Sequence, residues 1–209
     1  VNRIVLFESD NIKVIQQDFG SSTVFVTFNE AGLLASGETY WGDFFFEARR
    51  KSAVGVMSKV PNWYPPDCMR EAAAAIRATT QGRRVVTYGF SQGGYGALKF
   101  AAALGAAAVL AFSPKWSINP DDVRGFDTSK MGYYRPDLRN GHKIETQDVL
   151  CDNYIFYDPL LPNDTNHATR LQASCASHLI VMPFTGHETI RLLTESGLAE
   201  TLVMMFAKG

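Results

Sequence analysis

The stretch RRVVTYGFSQGGYGALKF, Arg83 to Phe100, decides how this chain is read. Val85 to Tyr88 are β-prone and predict a buried strand, and the small and apolar residues from Gln92 to Leu104 predict a helix that stops at Gly105. Ser91 stands at the junction, with Gly89 two residues before it and Gly93 two after. A serine on so sharp a strand-to-helix turn takes up strained backbone angles, and its close neighbours must lack a Cβ that would collide. That is the role expected of Gly89 and Gly93. The turn lifts the hydroxyl above the sheet edge, and it aims the Gln92 N–H and the start of the helix at any negative charge forming beside Ser91.

Outward from this junction the same alternation continues. Short strands are expected at Ile4 to Phe7, Ile12 to Gln16, Ser22 to Phe28 and Ala53 to Lys59. A helix is expected from Asp67, as its N-cap, to a stop at Gly82. AAAVLAFSP, NYIFYDP and SHLIVMPF read as further strands, DTNHATRLQAS as a short helix, and ETIRLLTESGLAETLVMMFAKG as closing helices. Apolar strands alternating with helices imply an α/β fold, a mostly parallel central sheet covered by helices on both faces. Ligands bind such sheets where loops leave the carboxyl ends of the strands, and Ser91, Asp158 and His187 each fall just after a predicted strand. Between 115 and 148 the chain turns polar and loses its periodicity, which suggests a loop-rich cap or lid over one end of the sheet.

Composition bounds the function. With 209 residues, 46% of them hydrophobic, the chain has the size of one domain with a sizeable core, and residues 1–209 are read as one unit. Three cysteines, Cys68, Cys151 and Cys175, are an odd number without paired spacing, as in a reducing compartment, so a cytoplasmic location is expected. Twenty basic against twenty-one acidic residues argue against a nucleic-acid partner. No apolar run is long enough for membrane insertion, and the first residues do not resemble an export signal.

The GFSQG sequence, Gly89 to Gly93, fits G-x-S-x-G and resembles the nucleophile elbow of the alpha/beta-hydrolase family. The bland reading is a glycine-rich turn that serves packing or holds a phosphate, although a Walker loop would want Gly-Lys-Ser or Gly-Lys-Thr and the chain has neither. A serine hydroxyl is a weak nucleophile, so a base must take its proton and an acid must orient that base. The resemblance implies the chain order Ser, acid, His. His187, in MPFTGHETI, follows a late strand through a short glycine-containing loop and is the expected base. His142 in the polar segment, His167 inside a helix and His178 at a strand start read as surface or packing histidines. For the acid, Asp158 is favoured, because YDPL followed by ATRL resembles the Asp-Pro-Leu stretch of hormone-sensitive-lipase-like members, where that aspartate completes the triad. Asp164 is the rival, but its place at a helix start is also that of an N-cap. The resemblance puts the second oxyanion donor in TFNEAG, at Asn29 or Glu30, beside Gln92; the family's usual His-Gly is absent there.

Trp63 and Tyr64, in PNWYPP, are placed near the same sheet edge, where they would line a sugar or acyl pocket or, equally, pack in the core or against the rim. AFSPKWSINPDDVRGFD, with YDP and HA, resembles more loosely the hydrolase domains of bacterial polysaccharide-assembly proteins. Asp121, Asp122 and Asp127 lack calcium-loop spacing and read as a solvated acidic turn. Taken together, these features imply a serine esterase that cleaves short acyl esters, including esters on carbohydrate, through an acyl-enzyme on Ser91 and without a cofactor or metal. An acyltransferase using the same residues toward a sugar hydroxyl, and a hydrolase-fold binding module without activity, are the alternatives.

Overall fold

The computed structural model describes residues 2–207. Eight strands form one sheet: β1 (Arg3–Glu8), β2 (Ile12–Gln17), β3 (Thr23–Phe28), β4 (Ser52–Ser58), β5 (Arg84–Phe90), β6 (Ala108–Phe112), β7 (Asp152–Tyr157) and β8 (His178–Val181). Their spatial order is β1-β2-β4-β3-β5-β6-β7-β8. The first two pairings, β1 with β2 and β2 with β4, are antiparallel, and all later ones are parallel. The expected mostly parallel α/β sheet is therefore what the chain forms.

The eight helices of the described residues are α1 (Asp43–Ala48), α2 (Pro66–Thr80), α3 (Gln92–Lys99), α4 (Ala101–Leu104), α5 (Pro120–Val123), α6 (Pro162–Cys175), α7 (Thr189–Glu195) and α8 (Leu198–Ala207). Because successive side chains of a strand point to opposite faces, the central strands feed two separate cores. Val24, Val26 and Phe28 of β3 face one way and pack with α2, α3 and α6 through Met69, Ile76, Leu98 and Leu171. Phe25 of β3, Val86 and Tyr88 of β5 and Phe112 of β6 face the other way, toward Phe46 of α1 and Val203 of α8. Both faces of β3 are fully buried, which explains why TVFVTF reads as a continuous apolar run instead of alternating.

Several local expectations shift. Asp67 is not a cap: Pro65 holds that position, Pro66 opens α2, and the Asp67 carboxylate meets Arg70 on the exposed face at 3.0 Å. The single helix expected from Gln92 to Leu104 is broken at Phe100, whose φ of −111° separates α3 from α4; Gly105, at φ 67°, ends the second piece. Helix α1 had no sequence signal, since FFF inside a six-residue helix shows no period. Residues 115–148 carry only α5 and three single 3₁₀ turns.

Candidate active site

The site grows from the end of β5. Ser91 adopts φ 54° and ψ −114°, a region that non-glycine residues occupy only when the surroundings force it. The forcing contacts are visible. The Ser91 N–H donates to the Phe112 carbonyl of β6 at 2.8 Å, and its own carbonyl accepts from the Tyr95 N–H at 3.1 Å. A Cβ on Gly89 would collide with the Gly93 carbonyl, and one on Gly93 would collide with the Phe28 carbonyl at the end of β3. Both glycines thus allow helix α3 to sit hard against the sheet, and the first turn of that helix lies beside the loop that leaves β3.

His187 is carried by the loop between β8 and α7. Its Nε2 lies 3.0 Å from Ser91 Oγ, and its Nδ1 lies 2.7 Å from Asp164 Oδ2. A carboxylate can only accept, so Nδ1 carries the proton and Nε2 presents a lone pair to the serine hydroxyl. The ring rests beside the Phe90 ring, with centroids 5.3 Å apart, and remains partly open to solvent while Asp164 is buried. Burial alone would raise the Asp164 carboxyl, but the His187 hydrogen bond and the Lys115 charge outweigh it and hold it below the ordinary carboxylate range.

The favoured acid, Asp158, is not the partner of His187. Its Oδ1 accepts the Leu160 N–H at 2.9 Å and its Oδ2 accepts the Gly186 N–H at 2.8 Å, so it pins the β7 loop to the loop that bears His187. Asp164 takes the place instead. The N-cap reading of Asp164 fails because Pro162 occupies the first position of α6 and Leu161 precedes it as cap, which puts Asp164 at the third helical position. From there its side chain leaves the helix toward His187, and the helix N-terminus favours its charge. The Pro162 signal was present in the sequence.

The oxyanion candidates divide. The Asn29 N–H bonds the Val56 carbonyl at 3.3 Å as a continuation of the sheet, so it is not available. Asn29 instead organises the loop from beneath: its amide donates to the Leu33 carbonyl at 2.6 Å and to Ser58 Oγ at 2.8 Å, and its Oδ1 accepts the Ser58 N–H at 2.7 Å. The N–H groups of Glu30 and Gln92 have no protein acceptor among the described residues. The Glu30 carboxylate turns back to accept the Gly32 N–H at 2.7 Å.

Trp63 and Tyr64 do not line a pocket. Both are fully buried. The Trp63 ring meets that of Tyr95 at 5.4 Å, and the Tyr64 hydroxyl donates to the Asn29 carbonyl at 2.6 Å. They support the β3 loop from inside the core, and residues 62–65 of the PNWYPP segment are all buried.

Nor is Asp127 part of a solvated turn. It is buried, and its Oδ2 lies 3.1 Å from Lys115 Nζ and 3.0 Å from His167 Nε2. Lys115 Nζ also lies 3.0 Å from Asp164 Oδ1. Nothing in the sequence singled out this lysine, since a lone Lys after a strand is ordinarily a surface residue. A cavity of about 360 Å³ opens beside His187 and Asp164, bordered by Ser129 and Lys130 of the polar segment and by Leu161 and Asn163.

No family model matches the sequence, and no curated protein is similar to it. Solved structures are similar. The capsule O-acetyltransferase of Neisseria meningitidis serogroup A superposes with a TM-score of 0.69 at 10% identity, over 95% of this chain and 93% of that one. An esterase of Pyrococcus furiosus gives 0.65 at 14% identity, over 99% and 90%. Mouse alpha/beta hydrolase domain-containing protein 10 gives 0.61 at 12% identity, over 97% and 100%. The chain has the alpha/beta-hydrolase fold. In the terms of that fold, Ser91 sits on the elbow after the fifth strand and Asp164 and His187 on the loops and helix start after the seventh and eighth. No helix among the described residues is long and apolar enough to cross a membrane.

Proposed function

We propose that the chain is a serine esterase that cleaves short acyl esters, including those carried on carbohydrate, through an acyl-enzyme on Ser91. The observation that carries this reading is the contiguous array Ser91 Oγ, His187 Nε2 and Nδ1, Asp164 Oδ2, with separations of 3.0 and 2.7 Å. His187 takes the Ser91 proton as Oγ attacks the ester carbonyl, and returns it to the leaving alcohol. Asp164 holds the imidazole in the tautomer that leaves Nε2 unprotonated and offsets the imidazolium charge. The Gln92 and Glu30 N–H groups receive the developing oxyanion, at roughly 3 kcal/mol for each donor. Water then attacks the acyl-enzyme by the reverse sequence, with His187 again the base.

The second reading is transfer of the acyl group to a sugar hydroxyl, which the fold likeness to a capsule O-acetyltransferase favours. The two differ only in the acceptor that reaches the acyl-enzyme, and the cleft of about 360 Å³ beside His187 has room for either water or an alcohol.

Hydrolysis of p-nitrophenyl acetate, butyrate and octanoate, together with fluorophosphonate labelling, tests the reading in wild type and Ser91→Ala. Burial pushes the Cys151 and Cys175 thiols up to about 11, so at neutral pH they do not compete as nucleophiles. Activity is expected to fall at least about 10⁴-fold in Ser91→Ala, with labelling abolished and thermal stability kept. A folded wild type that neither turns over nor labels would instead identify a binding module. Adding sugar alcohols during turnover separates hydrolysis from transfer by the acylated acceptor formed.

A further inference from the structure

Behind the array lies a second, buried polar chain that the reaction as written does not use. Asp164 places one oxygen on His187 and the other on Lys115, whose side chain is only 4% exposed. Lys115 is shared with Asp127, whose Oδ1 accepts from the Ser129 N–H at 2.9 Å and from the Asn163 amide at 3.1 Å, and whose Oδ2 faces His167. His167 Nδ1 accepts the Trp116 N–H at 3.0 Å, so its proton sits on Nε2 and it meets Asp127 as a neutral donor. Burial, the first influence on His167, holds its pKa below the ordinary value, against the opposing pull of Asp127. The charges aligned behind His187 are therefore negative at Asp164, positive at Lys115 and negative at Asp127.

A buried ion trio is costly to desolvate, and an apolar packing of similar volume would serve stability as well or better. What the trio does that apolar packing cannot is fix the charge next to the triad acid. We propose that Lys115 and Asp127 are positioning residues that set the proton affinity of His187 through Asp164, Lys115 lowering it and Asp127 restoring it. This rests on the reading of Ser91, His187 and Asp164 given above. Lys115 holds the second Asp164 oxygen, which fixes the carboxylate plane against Nδ1. Its charge alone would weaken the imidazolium that forms during attack, and Asp127 returns that charge. The trio sums to one negative charge, as a lone triad aspartate does, but with the carboxylate clamped from both sides.

Other groups face His187 as well. Ser91 and Phe90 lie against the ring, Glu188 follows it in the chain and pairs with Arg191 at 3.8 Å, Asp158 holds the Gly186 N–H, and Lys130 lines the cleft. None of them touches Asp164 Oδ1, so substitutions at Lys115 and Asp127 read out the trio alone.

Removing one charge at a time gives opposite signs. In Lys115→Met, Asp127 and Asp164 remain as two unopposed carboxylates, and the coupled Asp164–His187 pair binds its proton more tightly. Asp127 keeps its charge there because His167, Ser129 and Asn163 still donate to it. In Asp127→Asn, Lys115 keeps only Asp164 as a carboxylate partner, and the Asp164–His187 pair binds its proton less tightly. In the double variant the net charge returns to the wild-type value.

The test is the rate of fluorophosphonate labelling of Ser91 from about pH 5 to pH 9, with circular dichroism to verify folding. The acidic limb is expected to move up by about one pH unit in Lys115→Met and down by a similar amount in Asp127→Asn. It should return to the wild-type position in Lys115→Met/Asp127→Asn. A merely structural role would lower the rate in all three without opposed shifts, and folded variants whose limbs coincide with wild type, or move in one direction together, would overturn the inference. If Lys115→Met does not fold, the downward shift in Asp127→Asn and its reversal in the double variant decide alone. A wild type that does not label at all would refute the serine nucleophile. The His187 ring pKa, followed by NMR in the same proteins, would then still accept or reject the opposed shifts.

Discussion

Asp164 Oδ2 lies 2.7 Å from His187 Nδ1, while both oxygens of Asp158 are taken by backbone N–H groups. Two aspartates six residues apart thus do different work on the same loop. Asp164 addresses the imidazole, and Asp158 holds the loop that presents it.

This separation gives opposite outcomes for two similar substitutions. Asp164→Asn is expected to lower kcat by about 10⁴-fold with the fold intact, because the asparagine amide favours the wrong tautomer of His187. Asp158→Asn should cost no more than about tenfold in kcat but should lower the melting temperature, since an amide can accept from only one of the two N–H groups without leaving the other unpaired. Parallel kinetics and thermal melts of both proteins check this. Equal loss of activity in the two would contradict the assignment.

Gly89→Ala and Gly93→Ala probe the elbow. Each added Cβ would meet a backbone carbonyl, which cannot rotate away as a side chain can. Each is expected to destabilise by about 2 kcal/mol or more, with activity falling through displacement of Ser91. Gly132→Ala, where a Cβ meets open space, is the control and should melt with wild type. Urea unfolding midpoints of the three variants settle the comparison.

Acid stability should be lost in two steps. The pKa of His167 is held below its ordinary value in the folded protein, so the unfolded chain takes up that proton first and stability falls as the pH drops below about 6.5. Asp127 and Asp164 are held below the ordinary carboxylate range: burial opposes this, but hydrogen bonds from His167 and Ser129 to Asp127, and from His187 to Asp164, outweigh it, with the Lys115 charge adding to both. Their contribution is therefore present above about pH 4 and is lost below it. Urea midpoints between pH 7 and pH 5 should decline in wild type and decline less steeply in His167→Gln. An unchanged slope in that variant would show that another group takes up the proton.

The sequence by itself determined the sheet, the elbow and the histidine. These are local or periodic properties. Strands fully buried on both faces read as apolar runs, GFSQG between a strand and a helix carries its own steric logic, and His187 is the one histidine on a short glycine-containing loop after a late strand. Tertiary structure alone decided which aspartate meets the imidazole, that the Asn29 N–H belongs to the sheet, and that Trp63 and Tyr64 lie in the core. It also decided that Lys115 and Asp127 are buried against Asp164. Each of these depends on a side chain's direction at the end of an element, or on a charge paired across a long stretch of chain. Asp158 and Asp164 are both acidic residues just past the same strand, and only the first turn of α6, opened by Pro162, sends one carboxylate to His187 and leaves the other holding the backbone. A buried lysine carries no local signature at all. Its burial is possible because two carboxylates far apart in sequence converge on one ammonium, and that convergence exists only in the folded chain.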